Sequence, residues 1–131
     1  MQGMDRKAKG TKTERELIHL FWSKGWAAVR AAGSGSIKYP TPDIVAGNGL
    51  RHLAIECKSS GERRRYLTRE EVSSLVEFAR AFGAEPWIGA RFNAQSWYFI
   101  APQDLEESGK LFVVDAKKAR LSGILFEELI R

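Results

Sequence analysis

Apolar positions recur along the chain with two different periods, one helical and one that alternates along strands. A first helix is predicted over Thr13–Lys24, where the spacing of leucine, isoleucine and aromatic residues is helical and Gly25 follows as a stop signal. A second helix is predicted over Thr68–Phe82. Its first residue is a good N-cap, and Glu71 stands three positions later, as in a capping box.

Shorter apolar segments between glycine, proline and asparagine predict β-strands. Ile44–Ala46 and His52–Lys58 flank Gly47-Asn48-Gly49, a sequence that tolerates the positive φ of a tight hairpin turn. Other predicted elements are strands at Trp26–Arg30, Pro86–Phe92 and Ser96–Ile100, a turn of helix at Pro102–Leu105, an apolar piece at Phe112–Val114 and a terminal helix at Ile124–Ile130.

The order of these elements predicts an α/β fold. We expect a flexible basic tail over residues 1–10 and a single domain over residues 11–131, with a central mixed β-sheet of about five strands flanked by α-helices. A chain of 131 residues is long enough to bury one hydrophobic core.

Composition narrows the functional classes. The net charge of +5 suits a polyanionic partner such as nucleic acid. The single cysteine, Cys57, cannot form an internal disulfide, which fits a reducing compartment, and we expect it to be a buried thiol. No apolar run approaches the ~20 residues that a membrane-spanning helix needs. We therefore expect a cytoplasmic protein with no membrane partner.

Charged residues stand where the second hairpin strand would ordinarily continue as an apolar strand. Because side chains alternate along a strand, Glu56 and Lys58 share one face, and Cys57 points to the apolar face. Asp43 precedes the partner strand, so the hairpin can bring it beside Glu56. Two carboxylates and a lysine at one point predict a site for a hard cation with a charged helper. The alternative is a surface salt bridge between Glu56 and Lys58.

Two further features allow two interpretations each. Arg63, Arg64 and Arg65 form a positive patch close to the hairpin, which predicts phosphate contacts. The alternative for this patch is a solvated loop. Glu14 follows Thr11 at the spacing of a capping box, and the local sequence alone favours that structural role.

The sequence resembles known nucleases at these positions. Pro42-Asp43, a spacer of twelve residues and then Glu56-x-Lys58 resemble the metal-dependent nucleases of the restriction-endonuclease-like superfamily. A longer series is similar to the archaeal Holliday junction resolvases and covers roughly residues 9–101. Its segments are Lys9-Gly10, Glu14–Leu17, Ala28–Arg30, Gly33–Ser36, Pro42–Ala46, Ile55–Lys58 and Glu77–Arg80.

The resemblance implies a homodimeric endonuclease with a restriction-endonuclease-like core. It implies that the enzyme resolves four-way DNA junctions in homologous recombination and repair by paired symmetric nicks, leaving a 5′-phosphate and a 3′-hydroxyl. The implied cofactor is Mg²⁺, with Mn²⁺ as a substitute. The implied partners are branched DNA, a second copy of the chain and other recombination or replication proteins, and the implied location is with the nucleoid.

The resemblance also assigns roles to individual residues. The metal ligands would be Glu14, Asp43, Glu56 and the main-chain carbonyl of Cys57, and the catalytic residues would be these carboxylates together with Lys58 and Ser34. Arg15 and Arg30 would contact DNA. Phe78 and Phe82 would form the dimer contacts. This assignment replaces the capping role of Glu14. Ser36 is the alternative to Ser34, and Lys58 is either the base or a stabiliser of charge.

Three other functions share part of this pattern. One is a different restriction or repair nuclease of the same superfamily, which has the same carboxylates and lysine. The second is a junction-binding paralogue that has lost its chemistry. The third is a basic structural DNA-binding domain, which explains the charge but not the residues that converge on the hairpin.

Overall fold

The computed structural model describes the backbone of residues 2–9 and the complete residues 10–31, 38–93 and 96–131. Its elements in chain order are α1 (Gln2–Ser23), β1 (Ala27–Arg30), β2 (Ile44–Gly47), β3 (His52–Ser60), β4 (Arg64–Thr68), α2 (Arg69–Phe82), β5 (Glu85–Phe92), β6 (Trp97–Ile100), a 3₁₀ turn (Pro102–Asp104), β7 (Glu106–Ser108), β8 (Leu111–Asp115), α3 (Ala116–Ser122), β9 (Ile124–Leu125) and α4 (Phe126–Leu129).

A mixed sheet forms the centre of the fold, with the strand order β1-β2-β3-β5-β6-β9 in the described part of the chain. Strands β1, β2 and β3 pair antiparallel as a meander. Strand β5 then pairs parallel with β3, after a crossover that contains α2. A parallel neighbour requires such a crossover, which places a helix on the face of the sheet. The predicted α/β fold with a mixed, helix-flanked sheet is confirmed, with six strands in this sheet.

Each face of the main sheet is covered by helices that bury an apolar stripe. On one face, Leu17 and Phe21 of α1 are fully buried and pack with Phe126 of α4. On the other, Leu75 and Ala79 of α2 pack against the sheet. Complete burial of a side chain of the size of leucine or phenylalanine contributes about 1.5–3 kcal/mol. The alternation of β3 between these two cores fixes which side chains face α2.

Helix α2 has the ends that its sequence predicts. Thr68 is the N-cap: its side chain accepts a hydrogen bond from the Glu71 N–H, and the Glu71 side chain accepts one from the Thr68 N–H. At the other end, Gly83 adopts the left-handed conformation with a φ of 82°. A residue with a side chain would be strained there. Both local signals are confirmed.

A second, three-stranded sheet has the order β4-β8-β7 in the described residues, and it was not predicted. The alternative of a solvated loop for the arginines is wrong from Arg64 onwards, because this segment forms β4 and pairs antiparallel with β8. Helix α3 and strand β7 were also missed. Their sequences are short and rich in charged residues, so they lack a clear apolar period.

Two predicted helix boundaries are also wrong. Helix α1 begins at Gln2 rather than Thr13, so residues 2–10 are helical, and Thr11 lies inside the helix instead of capping it. The flexibility of this N-terminal segment stays a prediction. The predicted terminal helix is shorter, because Ile124–Leu125 pairs with β6 as β9 and only Phe126–Leu129 is helical. Of the helices described, none is long and apolar enough to cross a membrane.

Candidate active site

The hairpin brings Asp43 to the main chain on both sides of Glu56. The Asp43 N–H donates to the Ile55 carbonyl at 3.1 Å, and the Asp43 carboxylate accepts the Cys57 N–H at 2.8 Å. Ile44 is the antiparallel partner of Ile55, which fixes this register. The predicted approach of Asp43 to Glu56 across the hairpin is therefore present in the structure.

Strand β3 changes character at Glu56. Leu53, Ala54 and Ile55 are fully buried, whereas the strand from Glu56 onwards is half-buried. Glu56 and Lys58 share the face that looks towards α2, as alternation requires. Since β3 and β5 run parallel, this charged end lies at the carboxyl edge of a parallel pair, a common place for functional residues in α/β sheets.

Glu14 joins this region from α1. Its carboxylate accepts a hydrogen bond from Arg30 Nε at 2.7 Å, and Arg30 Nη2 donates to the Thr11 hydroxyl at 3.2 Å. Both side chains are largely buried, with 18% of Glu14 and 28% of Arg30 exposed. Arg30 at the end of β1 thus holds Glu14 at the site. Arg15, the next residue on α1, is exposed.

Burial and neighbouring carboxylates raise the pKa values of Glu56 and Glu14. Burial raises the pKa of Glu56 to about 8, and the negative charges of Asp43, Glu71 and Glu14 contribute in the same direction against the opposing effect of Lys58. Burial and Asp43 also raise the pKa of Glu14, although Arg30 opposes this. Like charges held together in a half-buried place favour either a proton or a cation.

The thiol of Cys57 lies on the opposite face of β3 from Glu56 and packs against the core below α1. Burial, with the nearby carboxylates Asp43, Glu14 and Glu56, raises the pKa of this thiol well above its usual range. Cys57 is half-buried rather than fully buried as predicted, and a thiol that stays protonated is a poor metal ligand. The predicted contribution of Cys57 to a metal site therefore concerns only its main-chain carbonyl.

The donor set fits a hard divalent cation. Glu14, Asp43 and Glu56 supply carboxylate oxygens, the ligands that Mg²⁺ takes. In the described part of the chain no three His, Cys, Asp or Glu side chains form a ready cage for a metal ion. Mg²⁺ does not require such a cage, since it keeps several waters and is usually held by one or two carboxylates. The raised pKa values show the excess of negative charge that a cation would relieve.

Lys58 makes an ion pair that the sequence did not reveal. Its ammonium donates to Glu71 Oε2 of α2 at 2.5 Å, and only 11% of the lysine side chain is exposed. Sequence reasoning treated Glu71 solely as a capping residue. A capping box is a local signal, whereas the Lys58 contact joins two elements of the fold.

A polar cavity of about 440 Å³ adjoins this site. The segment of Lys38, Tyr39 and Thr41 borders it on one side, and the start of α2 with Glu71 borders it on the other. Glu56 lines the cavity and is therefore accessible from outside through it. Ser34 and its alternative Ser36 lie outside the described residues.

The predicted arginine patch lies on the second sheet and is largely engaged within the protein. Arg64 Nε donates to the Asp115 carboxylate at 2.9 Å, and Arg63 Nε lies 3.6 Å from the same carboxylate. Arg65 is half-buried, and its Nε has no hydrogen-bond partner among the described residues. Arg63 and Arg64 remain 67% and 55% exposed, so phosphate contacts by these two remain a prediction.

The predicted dimer residues lie together on α2. The rings of Phe78 and Phe82 stack with centroids 5.1 Å apart, and His52 meets Phe82 edge-on at 6.5 Å. Phe82 is 54% exposed. Phe78 is half-buried and packs against the core, so the role of this pair in a dimer stays a prediction.

The chain is similar over most of its length to proteins of one family. The family model described as archaeal Holliday junction resolvase (Hjc) matches residues 5–131. The crossover junction endodeoxyribonuclease Hjc of Archaeoglobus fulgidus is 43% identical over 129 residues, which cover 93% of this chain and 95% of the relative. The Hjc of Methanocaldococcus jannaschii is 34% identical over 122 residues, which cover 93% of this chain and 86% of the relative.

A solved structure shares the whole fold. The 1.6 Å structure of Archaeoglobus fulgidus Hjc, described as a Holliday junction resolvase from an archaeal hyperthermophile, superposes with a TM-score of 0.86. The match has 43% sequence identity and covers 93% of this chain and all of that chain.

Proposed function

Because the chain belongs to the family of archaeal Holliday junction resolvases, we propose that it is a crossover junction endodeoxyribonuclease that cuts four-way DNA junctions. The observation that carries this function is the position of Asp43. Its main chain and side chain hold the strand on both sides of Glu56, while Lys58 stands on the same face as Glu56. A DNA-binding scaffold alone would not need this arrangement.

The cofactor in this proposal is Mg²⁺, with Mn²⁺ as a substitute. Asp43, Glu56 and the Cys57 carbonyl would hold the ion, and Glu14 would complete the shell or orient water. When bound, Mg²⁺ supplies Lewis-acid activation of a phosphate and a water nucleophile. The half-buried carboxylates favour its binding, because it neutralises charges that oppose one another in its absence.

The protein groups supply orientation and charge. The Lys58 ammonium stabilises negative charge as it develops on the scissile phosphate. In the alternative role, Lys58 acts as a neutral amine and accepts the proton of the attacking water. Arg15, Arg63 and Arg64 are exposed and contact phosphates of the junction arms in this proposal. Such contacts position the DNA and carry no base sequence, which suits recognition of a branched shape.

The functional unit in this proposal is a homodimer. Two equivalent sites cut two equivalent strands, and paired symmetric nicks leave 5′-phosphate and 3′-hydroxyl ends that a ligase can seal. The exposed ring of Phe82, which stacks on the half-buried Phe78, supports an interface on α2. On this proposal the enzyme acts on nucleoid DNA in the cytoplasm, where other recombination or replication proteins are its further partners.

The function is tested with an end-labelled four-way junction and a linear duplex of the same sequence, each with Mg²⁺, with Mn²⁺ and with EDTA. We expect paired, symmetric, metal-dependent cuts on the junction only. Equal cutting of both substrates would indicate a general nuclease of the restriction or repair type. Tight junction binding without cleavage would indicate an inactive junction-binding paralogue.

The dimer is tested with Phe82→Asp, which places a charge in the aromatic pair. Loss of one aromatic contact of this kind is worth about 1.5–3 kcal/mol, so we expect dimer dissociation to rise by at least about tenfold. Sedimentation velocity over a concentration series measures this. Leu121→Asp is the control, because Leu121 is 83% exposed on α3. Unchanged sedimentation of Phe82→Asp would exclude this interface.

A further inference from the structure

The ammonium of Lys58 is held by a carboxylate that is itself fixed at both oxygens. Glu71 Oε2 accepts the hydrogen bond from Lys58 Nζ at 2.5 Å. Glu71 Oε1 accepts the main-chain N–H of Thr68 at 2.8 Å, as part of the capping box of α2. The first turn of a helix therefore anchors the lysine, and the anchor has little freedom to move.

A lysine at this position needs an anchor. Its side chain is long and flexible, and its charge is attracted to every carboxylate nearby. Glu56, two residues earlier on the same face of β3, is such a carboxylate, and the two side chains interact electrostatically. A lysine that turned onto Glu56 would neutralise a metal ligand and leave the position from which it faces the phosphate.

We propose that Glu71 is a positioning residue, which holds the Lys58 ammonium beside the Asp43 and Glu56 site and prevents it from pairing with Glu56. This role rests on the proposed nuclease function. It is separate from the capping role that the local sequence assigns to Glu71. Because each oxygen of the Glu71 carboxylate serves one of the two roles, substitutions can separate them.

Glu71→Gln tests the positioning role. Glutamine also serves at this position of a capping box, so the helix cap is retained while the charge that attracts Lys58 is removed. We expect the single-turnover cleavage rate of a four-way junction to fall by about 10- to 100-fold, as for other groups that orient catalytic residues. Junction Kd without metal and the Tm of the protein should stay at wild-type values.

Two control variants test the loss of charge and the loss of the helix cap separately. Glu70→Gln removes the same charge from an exposed neighbour in the same turn of α2 and should leave rate, Kd and Tm within about threefold or a degree of wild type. Thr68→Ala removes the capping hydroxyl that accepts the Glu71 N–H, so it should lower Tm. Its cleavage rate, measured well below the melting temperature, should equal that of the wild type.

A readout that is independent of cleavage follows the lysine directly. Amine acylation with mass spectrometry measures how readily each lysine reacts, and Lys58 is protected in the wild type by burial and by its partner. We expect Glu71→Gln to change the labelling rate of Lys58 severalfold, while the exposed Lys12 is labelled as before.

The outcomes separate the two claims. If the wild type cuts no DNA, the nuclease function fails, and the labelling of Lys58 still decides whether Glu71 holds it. A Glu71→Gln rate equal to that of Glu70→Gln, or unchanged labelling of Lys58, would overturn the positioning role. The same conclusion would follow if the rates of Glu71→Gln and Thr68→Ala fell in proportion to their Tm values.

Discussion

The acidic site on the main sheet and the arginine-bearing second sheet differ in how their carboxylates are paired with cations. At the site, Asp43 raises the pKa values of Glu14 and Glu56, and the hydrogen bond from Arg30 lowers that of Glu14. In the second sheet, hydrogen bonding from Arg64 lowers the pKa of Asp115. Glu106 and Glu107 are likewise paired, with Lys118 and Arg69.

This comparison distinguishes the clustered carboxylates of the proposed active site from charges that are paired on the surface. Paired surface charges are close to neutral for stability, so they can occur anywhere that a strand or cap needs them. Like charges in a half-buried cluster cost stability, and such clusters are typical of functional sites, where a ligand relieves the cost. Charge density alone would have indicated the arginine segment, whereas the raised pKa values of Glu14 and Glu56 mark the proposed active site.

Glu56→Gln should give the largest effect and should change activity and stability in opposite directions. Cleavage should fall by about 10²- to 10³-fold or more, because Glu56 would help to hold the Mg²⁺ that stabilises transition-state charge. Without metal, Tm should rise, because a carboxylate repelled by its neighbours is removed. Binding of the junction without metal should be as tight as in the wild type.

Glu85→Gln is the matched control on the neighbouring strand β5. Glu85 accepts two hydrogen bonds from Arg51, at 2.7 and 2.8 Å, and these lower the pKa of Glu85. We therefore expect lower stability and unchanged cleavage. If both variants lost stability, the site would be no more strained electrostatically than an ordinary ion pair.

The pH dependence of stability should show the same contrast. The pKa of Glu56 is raised from 4.5 to about 8, so its effect on the metal-free protein is favourable below pH 4.5 and is lost as pH rises to about 8. Within that window, each pH unit should lower the free energy of unfolding by up to about 1.4 kcal/mol. Urea titrations from pH 5 to 8 measure the slope.

Glu56→Gln should flatten this slope, and saturating Mg²⁺ should reduce it in the wild type. The groups that face Glu56 are Asp43, Glu14 and Glu71 with negative charge and Lys58 with positive charge. A slope that persists in Glu56→Gln would assign the pH dependence to one of these neighbours.

Arg30→Gln and Arg64→Gln compare an arginine of each region. Arg30 pairs with Glu14 inside the site, so its loss should lower the cleavage rate about tenfold or more with junction Kd little changed. Arg64 lies on the exposed sheet, so its loss should weaken junction binding and reduce the slope of log Kd against log salt concentration by about 1. The cleavage rate at saturating enzyme should not change. Equal effects of the two variants on Kd would place both arginines on the DNA.

The sequence predicted the elements whose signals are local. The hairpin that positions Asp43 and Glu56 and both ends of α2 depend on turn and cap residues within a few positions, and the structure has them. The second sheet was missed because its pairing is distant: Arg64 lies opposite Asp115, and the strands carry no apolar alternation. Local propensity cannot detect such a pairing.

Glu14 and Glu71 show the same limit within the site. Each follows a threonine at capping-box spacing, and the spacing alone cannot distinguish them. Helix α1 continues through Thr11, which leaves Glu14 free to meet Arg30, whereas α2 does begin after Thr68. Only the resemblance to the resolvases placed Glu14 at the site. The pairing of Glu71 with Lys58 had no sequence signal, because it depends on how α2 packs on β3.

Asp115 should give the smallest effect and separates capping from ion pairing in the second sheet. Its carboxylate caps α3 by accepting the N–H groups of Lys117 and Lys118, and it also pairs with Arg64. Asparagine caps as well as aspartate, so Asp115→Asn should keep nearly wild-type stability, since the exposed ion pair contributes little. Asp115→Ala should lose about 1 kcal/mol with the cap. If urea titrations showed equal losses of unfolding free energy for Asp115→Asn and Asp115→Ala, the ion pair, and not the cap, would stabilise this sheet.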